Sequence, residues 1–199
     1  METKKLQKKY FCVDIESNGP HPVVSSMLSI GACVVGDRKN TFYAELKPLT
    51  PSYDLETFKI GASGLKSLKD YDFSHFDPTE VMSILNKQGE EPEEVMTNFA
   101  EWIELNREGK RPIFCAAPVI FDGSFVSNYF FRFLQSNPFG YTGEDMQSMF
   151  RGYVHNLAAS FKELRLRGAG LNHNALEDAL QEEKEWYTVL YGMGQQDRI

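Results

Sequence analysis

Only three of the 199 residues are cysteine, and Cys12, Cys33 and Cys115 lie far apart, each in an apolar, strand-like run. An odd, scattered set excludes a disulfide framework and a cysteine-rich zinc site, and fits reduced, buried thiols in a cytoplasmic protein. No uninterrupted apolar stretch approaches 18 residues, so neither a transmembrane helix nor a membrane partner is expected. Residues 1–9 are charged without a following apolar region, which argues against a signal peptide. A basic excess is also missing: 21 Lys and Arg face 28 Asp and Glu, a formal net charge of −7. That balance disfavours extended electrostatic binding of long nucleic-acid duplexes. It leaves open a small site that grips an anionic ligand through bound cations. Repeats and low-complexity segments are absent, and the length suffices for one domain with a sizeable core.

What the chain does contain is a pair of carboxylates inside an apolar strand. In Tyr10-Phe11-Cys12-Val13-Asp14-Ile15-Glu16 the other residues are apolar and β-prone, so the segment reads as a largely buried strand. Side chains alternate along a strand, and Asp14 and Glu16 therefore project to the same face. Burying unpaired negative charge is expensive. Two arrangements relieve it: a divalent cation shared by the pair, or one carboxylate on an Arg or Lys with the other at a solvated strand end.

Two further segments carry acids at telling places. Asp122 follows the β-like run 112–117 and precedes Phe125, Tyr129, Phe130, Phe133 and Leu134 at helical spacing. It is expected where a strand hands over to a helix, a place where Asp also serves as an ordinary N-cap. Later, Leu171-Asn172-His173-Asn174-Ala175-Leu176-Glu177-Asp178 leads into a helix with Leu176, Leu180, Tyr187 and Leu190 on one stripe. Asn174 with Glu177 three residues on has the form of a capping box. His173 then precedes the cap and Asp178 lies one turn inside, which makes them neighbours in space. His21, His75 and His155 have no acidic partner at such a spacing and are expected to be structural or exposed.

The coarse organisation is an α/β domain over residues 10–194, with charged tails at 1–9 and 195–199. Strands are expected at 10–16, 27–35 and 41–46 as an antiparallel meander, followed by a mostly helical stretch from about 55 to 105. A strand near Ile113, a helix after Asp122, a short strand at about 145–150 and C-terminal helices complete a mixed sheet with helices on both faces.

The segments Phe11-Cys12-Val13-Asp14-Ile15-Glu16-Ser17-Asn18-Gly19, Phe121-Asp122 and His173-Asn174-Ala175-Leu176-Glu177-Asp178 resemble, in order, the three motifs of the DEDDh 3′–5′ exonucleases. The likeness runs from about residue 10 to 191. It implies the ribonuclease H-like version of the α/β fold, with metal-ligand roles for Asp14, Glu16, Asp122 and Asp178 and a general-base role for His173. It also implies two Mg²⁺ or Mn²⁺ ions per site and release of 5′-mononucleotides from the free 3′ end of single-stranded DNA or RNA. Two divalent ions can activate water, bind phosphoryl oxygens and support the leaving oxygen, and hard carboxylate oxygens suit Mg²⁺ or Mn²⁺. Ser17, Asn18 and Gly19 lie where members of that family contact the terminal nucleotide. Several members dimerise, so a homodimer stays open.

Other positions carry two readings each. Phe73 and Phe76 could stack on a base or form a satellite core. Lys162, Arg165 and Arg167 could hold a phosphate or simply be solvated. Where many relatives carry a polar residue a few positions before the second-motif Asp, this chain has Ala116, Ala117 and Pro118, so the nucleic acid preferred is not legible. Two other functions compete. An endonuclease or another metal phosphoesterase could use the same fold. A catalytically silent nucleic-acid-binding module would lack a ligand, and none of the five residues is missing.

Overall fold

The protein is described from a computed structural model covering residues 7–164 and 171–194. Its centre is a five-stranded sheet in the order β3-β2-β1-β4-β5. These strands are β1 Lys8–Ser17, β2 Met27–Val34, β3 Asp37–Glu45, β4 Arg111–Ala116 and β5 Gly143–Asp145. β1 pairs antiparallel with β2 and parallel with β4; β2–β3 is antiparallel and β4–β5 parallel. The expected meander followed by parallel strands is therefore present. β1 lies in the middle of the sheet, covered on both sides, which is why Phe11, Cys12, Val13 and Ile15 are apolar and buried whichever face they point to.

Alternation along β1 sorts the core into two layers. Phe11, Val13 and Ile15 join helices α3 (Pro92–Asn106) and α4 (Val119–Leu134) on one face. Cys12 faces the other way, with α5 (Met146–Tyr153) and α6 (Ala175–Gly192). Helices thus cover both faces. The three free, buried cysteines lie in a row across the sheet, Cys33 and Cys115 each registered opposite Cys12. Helices α1 (Leu55–Ala62) and α2 (Pro78–Gln88) close a third cluster around Phe58, Leu65, Val81 and Leu85.

Several local expectations shift. β1 begins at Lys8, before the expected Tyr10. The short strand expected at about 145–150 lies earlier, at Gly143–Asp145, and Met146–Tyr153 is helical because Asp145 caps it: its side chain accepts from the Ser148 N–H at 2.7 Å. The same carboxylate accepts from Val119 N–H at 2.9 Å and so caps α4 as well. Helix α4 consequently starts after Pro118, and Asp122 lies in its first turn rather than at its cap. Asn174 is the N-cap of α6 and accepts from Glu177 N–H. The reciprocal arm of the box is absent, since the Glu177 carboxylate bonds the Asn172 side-chain amide instead. The inward stripe of α6 is also rotated: Tyr187 is exposed, while Ala179, Glu182, Trp186 and Val189 are buried. His75, expected without an acidic partner, pairs on the surface with Asp72 at 3.0 Å. Among the described residues no helix is long and apolar enough to cross a membrane.

Candidate active site

The C-terminal half of β1 carries Asp14 and Glu16 on the α6 side of the sheet. Three other segments close on them. Asp122 arrives from the first turn of α4, and its Oδ1 accepts from the backbone N–H of Ile15 at 3.1 Å. Asp178 arrives from the first turn of α6 and His173 from the loop before it. The end of α6 can come this near because Gly31 on β2, registered opposite Asp14, has no side chain. A Cβ there would lie 2.2 Å from backbone atoms of Ala175 and Leu176.

Glu16, His173 and Asp178 each present a ligand atom within 4.8 Å of the others. His173 Nδ1 is 3.6 Å from Glu16 Oε1. Asp178 accepts the backbone N–H groups of both Asn172 and His173, at 3.0 Å each. Those bonds hold His173 at φ +59°, a left-handed conformation uncommon for a residue with a side chain. Asp14 lies beside this group, and its Oδ2 is buried without a hydrogen-bond partner.

The electrostatics follow from that crowding. Burial first, and then the charges of Asp122, Glu182, Glu16 and Asp178, hold the Asp14 carboxyl well above the usual carboxylate range. Burial pushes Asp122 up to about 7, opposed by the Ile15 N–H. Glu16 is raised by burial and drawn back by His173. His173 is raised chiefly by its pairing with the Glu16 carboxylate, against its own partial burial. The carboxylates repel, and the dry environment penalises each charge.

The donor set fits hard divalent cations. Asp14, Glu16, Asp122 and Asp178 supply carboxylate oxygens of the kind Mg²⁺ or Mn²⁺ prefers, and the orphaned Asp14 Oδ2 is the atom most in need of one. A residue not anticipated from sequence is Glu182, buried one turn after Asp178 on the same face of α6 and among the charges acting on Asp14. Its i,i+4 spacing from Asp178 was the available signal.

The proposed substrate contacts fare unevenly. Ser17, Asn18 and Gly19 sit at the end of β1 beside Glu16, but they are buried. Ser17 Oγ donates to the Gly19 carbonyl at 2.8 Å. The Asn18 side chain accepts from Ser26 N–H and donates to the Ser52 carbonyl. The Ser17 and Asn18 side chains thus brace the turn. Phe76 packs edge-on against Phe58 and stacks with Phe73, in the satellite core. Lys162 is exposed in a short 3₁₀ turn, Phe161–Leu164, while Arg165 and Arg167 lie outside the described residues.

No family model matches the chain. It is 33% identical over 147 residues to the 3′-5′ DNA exonuclease Cap18 of Escherichia coli, covering 73% of this chain and 70% of that protein. Among solved structures, the nuclease domain of 3′hExo, a DEDDh family member bound to rAMP, superposes with a TM-score of 0.62 at 9% identity, covering 98% of this chain and 96% of the other. E. coli Exonuclease I in complex with a dT13 oligonucleotide gives 0.64 at 14% identity, covering 95% of this chain and 42% of that one. S. pombe Pop2p in its Mg²⁺- and Mn²⁺-bound form gives 0.60 at 12% identity, covering 94% and 84%. At such identities the structures speak for the ribonuclease H-like fold, while the E. coli relative carries the family and its activity. The chain belongs to the DEDDh 3′–5′ exonucleases.

Proposed function

We propose that this exonuclease removes 5′-mononucleotides stepwise from the free 3′ end of single-stranded DNA, with Asp14, Glu16, Asp122 and Asp178 holding two Mg²⁺ or Mn²⁺ ions and His173 acting as general base. The observation that carries the proposal is convergence. Carboxylates from β1, α4 and α6 crowd one another in a dry site, and one buried Asp14 oxygen has no partner within the protein. DNA is favoured because the E. coli relative is named a DNA exonuclease.

When bound, the divalent ions supply Lewis-acid activation of water and stabilisation of charge on the phosphoryl and leaving oxygens. The chain's own residues do the rest. Asp178 fixes the backbone of the His173 loop through two accepted N–H bonds. His173, half-exposed at the rim, takes the proton of the attacking water on its imidazole. Its pairing with Glu16 favours the protonated form, so the base becomes free only when the Glu16 charge is otherwise engaged. Glu16 also guards the terminus: a 3′-phosphate would bring roughly −1.5 to −2 further charge against it.

A 5′-labelled single strand, its 3′-phosphorylated form, a circular form and an RNA of the same sequence test this together. The expected result is progressive shortening of the linear DNA with Mg²⁺ or Mn²⁺ but not with Ca²⁺ or excess chelator, with the other two DNA forms left intact. Opening of the circle would identify an endonuclease. Labelled mononucleotide alone at the earliest times would reverse the polarity. RNA degraded faster than DNA would reassign the substrate.

A further inference from the structure

The general base of this family of reactions must stand at a fixed distance from its water, yet His173 sits in a loop rather than on a regular element. What fixes that loop is visible on both of its sides. On one side Asp178 accepts the Asn172 and His173 N–H groups. The other side is the turn that follows α1, where Gly64 lies face to face with the His173 peptide. A Cβ on Gly64 would stand 2.1 Å from the His173 carbonyl oxygen, 2.2 Å from its carbonyl carbon and 2.6 Å from the Asn172 carbonyl oxygen. No side chain can occupy that space, because the opposing atoms are backbone. Gly64 carries no positive φ, so the close approach, and not backbone freedom, is what demands glycine there.

The two surfaces are also tied. The Asn174 side-chain amide donates to the Gly64 carbonyl at 3.0 Å and to the Tyr43 hydroxyl at 3.4 Å, while its oxygen caps α6. One turn earlier the same helix meets the metal side of the site. A Cβ on Gly61 would lie 2.4 Å from the Ser17 carbonyl oxygen and 3.1 Å from Glu16 Oε2. The end of α1 therefore touches the strand bearing Glu16 through Gly61 and the loop bearing His173 through Gly64.

We propose that Gly64 is a positioning residue for catalysis: the side-chain-free turn after α1 is the stop against which the His173 loop rests, and it sets the reach of the imidazole. This rests on His173 being the general base, as proposed above. Nothing in it requires Gly64 to touch substrate or metal.

Gly64→Ala, His173→Ala and the double variant decide the matter on a single-stranded DNA oligonucleotide. An alanine methyl must push the loop by about an ångström, and a displacement of that size can cost about 10²-fold in rate. The expected loss is in kcat, with KM changed little and Mn²⁺ binding by calorimetry unchanged. In the His173→Ala background the methyl should cost nothing more, because the group it displaces is gone. A merely destabilising substitution would cost the same in both backgrounds, and that outcome would overturn the proposal, as would full activity in Gly64→Ala. If Gly64→Ala does not fold, Asn174→Ser takes its place. Serine caps a helix as well as asparagine, but its shorter side chain lacks the amide N–H that Asn174 extends to the Gly64 carbonyl. It should lower kcat several-fold, again only when His173 is present; an equal loss without His173 overturns the proposal. Should His173→Ala itself keep full activity, the assignment of the base fails, a result distinct from additivity.

Discussion

Asp14 shows how a residue can be costly to the fold and still be retained. Its Oδ2 is buried without a partner, and burial together with neighbouring acids raises its pKa. Removing that charge should relieve the metal-free protein. Asp14→Asn is expected to abolish turnover while melting in excess chelator at the same temperature as the parent, or slightly higher. If Asp14 were instead half of an ion pair, its loss would cost about 3–5 kcal/mol, and a large drop in melting temperature would expose that. His173 makes the opposite kind of prediction. Loss of a general base costs roughly 10²–10⁴-fold in rate. His173→Ala should show a loss of that order, and the defect should narrow at alkaline pH, where hydroxide needs less help. Isothermal titration with Mn²⁺ should find its metal affinity nearly intact; lost affinity would move His173 into the ligand set.

At the scale of elements, the decisive contact is the N-terminus of α6 against β2. The helix brings Asp178, and just before it His173, over the middle of the sheet. It does so because Gly31 offers bare backbone where a Cβ would stand 2.2–2.4 Å from Ala175 and Leu176. Gly31→Ala must lift that helix end or bend the strand. Overpacking of this kind typically costs about 1–3 kcal/mol, and urea denaturation should find a loss in that range. Activity should fall beyond what the population of folded protein explains, since the helix end carries both groups away from Asp14. Unchanged activity in a destabilised variant would mean the site tolerates the shift.

Across the whole molecule, the site couples stability to pH and to cations. Burial pushes Asp122 up to about 7 in the fold against 3.8 ordinarily, and Asp14 and Glu16 are displaced in the same direction. An acid with a raised folded-state pKa keeps its proton in the fold after the unfolded chain has released it. Stability is therefore greatest at low pH on this account and falls as pH rises from about 4 through about 7. The raised imidazole of His173 acts in the same sense, because the stability gained by its charged form is lost as pH rises through its folded pKa. Thermal melts in chelator should decline across that window. Saturating Mn²⁺ should flatten the decline, since an ion that binds only the fold stabilises it by mass action. A metal-free protein that grows more stable over the same window would show the cluster to be compensated from within.

Much of this protein is written locally. The alternation of Phe11, Val13 and Ile15 against Cys12, Asp14 and Glu16 specifies a two-sided strand, and the sheet places it centrally. Asn174 caps α6 as its spacing with Glu177 demands, and the three motif segments are sufficient to mark the family. These features depend on period, propensity and short-range hydrogen bonds, all of which act within a few residues. What the tertiary structure alone decided involves partners far apart in the chain. Asp145 begins α4 at Val119, which moves Asp122 from a cap into a helical turn. Asn18, placed by the family resemblance near the terminal nucleotide, turns its side chain to Ser26 and Ser52. Glu182 enters the acidic group only because α6 turns that face to β1. Gly31 and Gly64 are silent in the sequence, since a missing side chain announces nothing until another backbone is found in its place. Local rules act on what a residue has, whereas packing also selects for what it lacks.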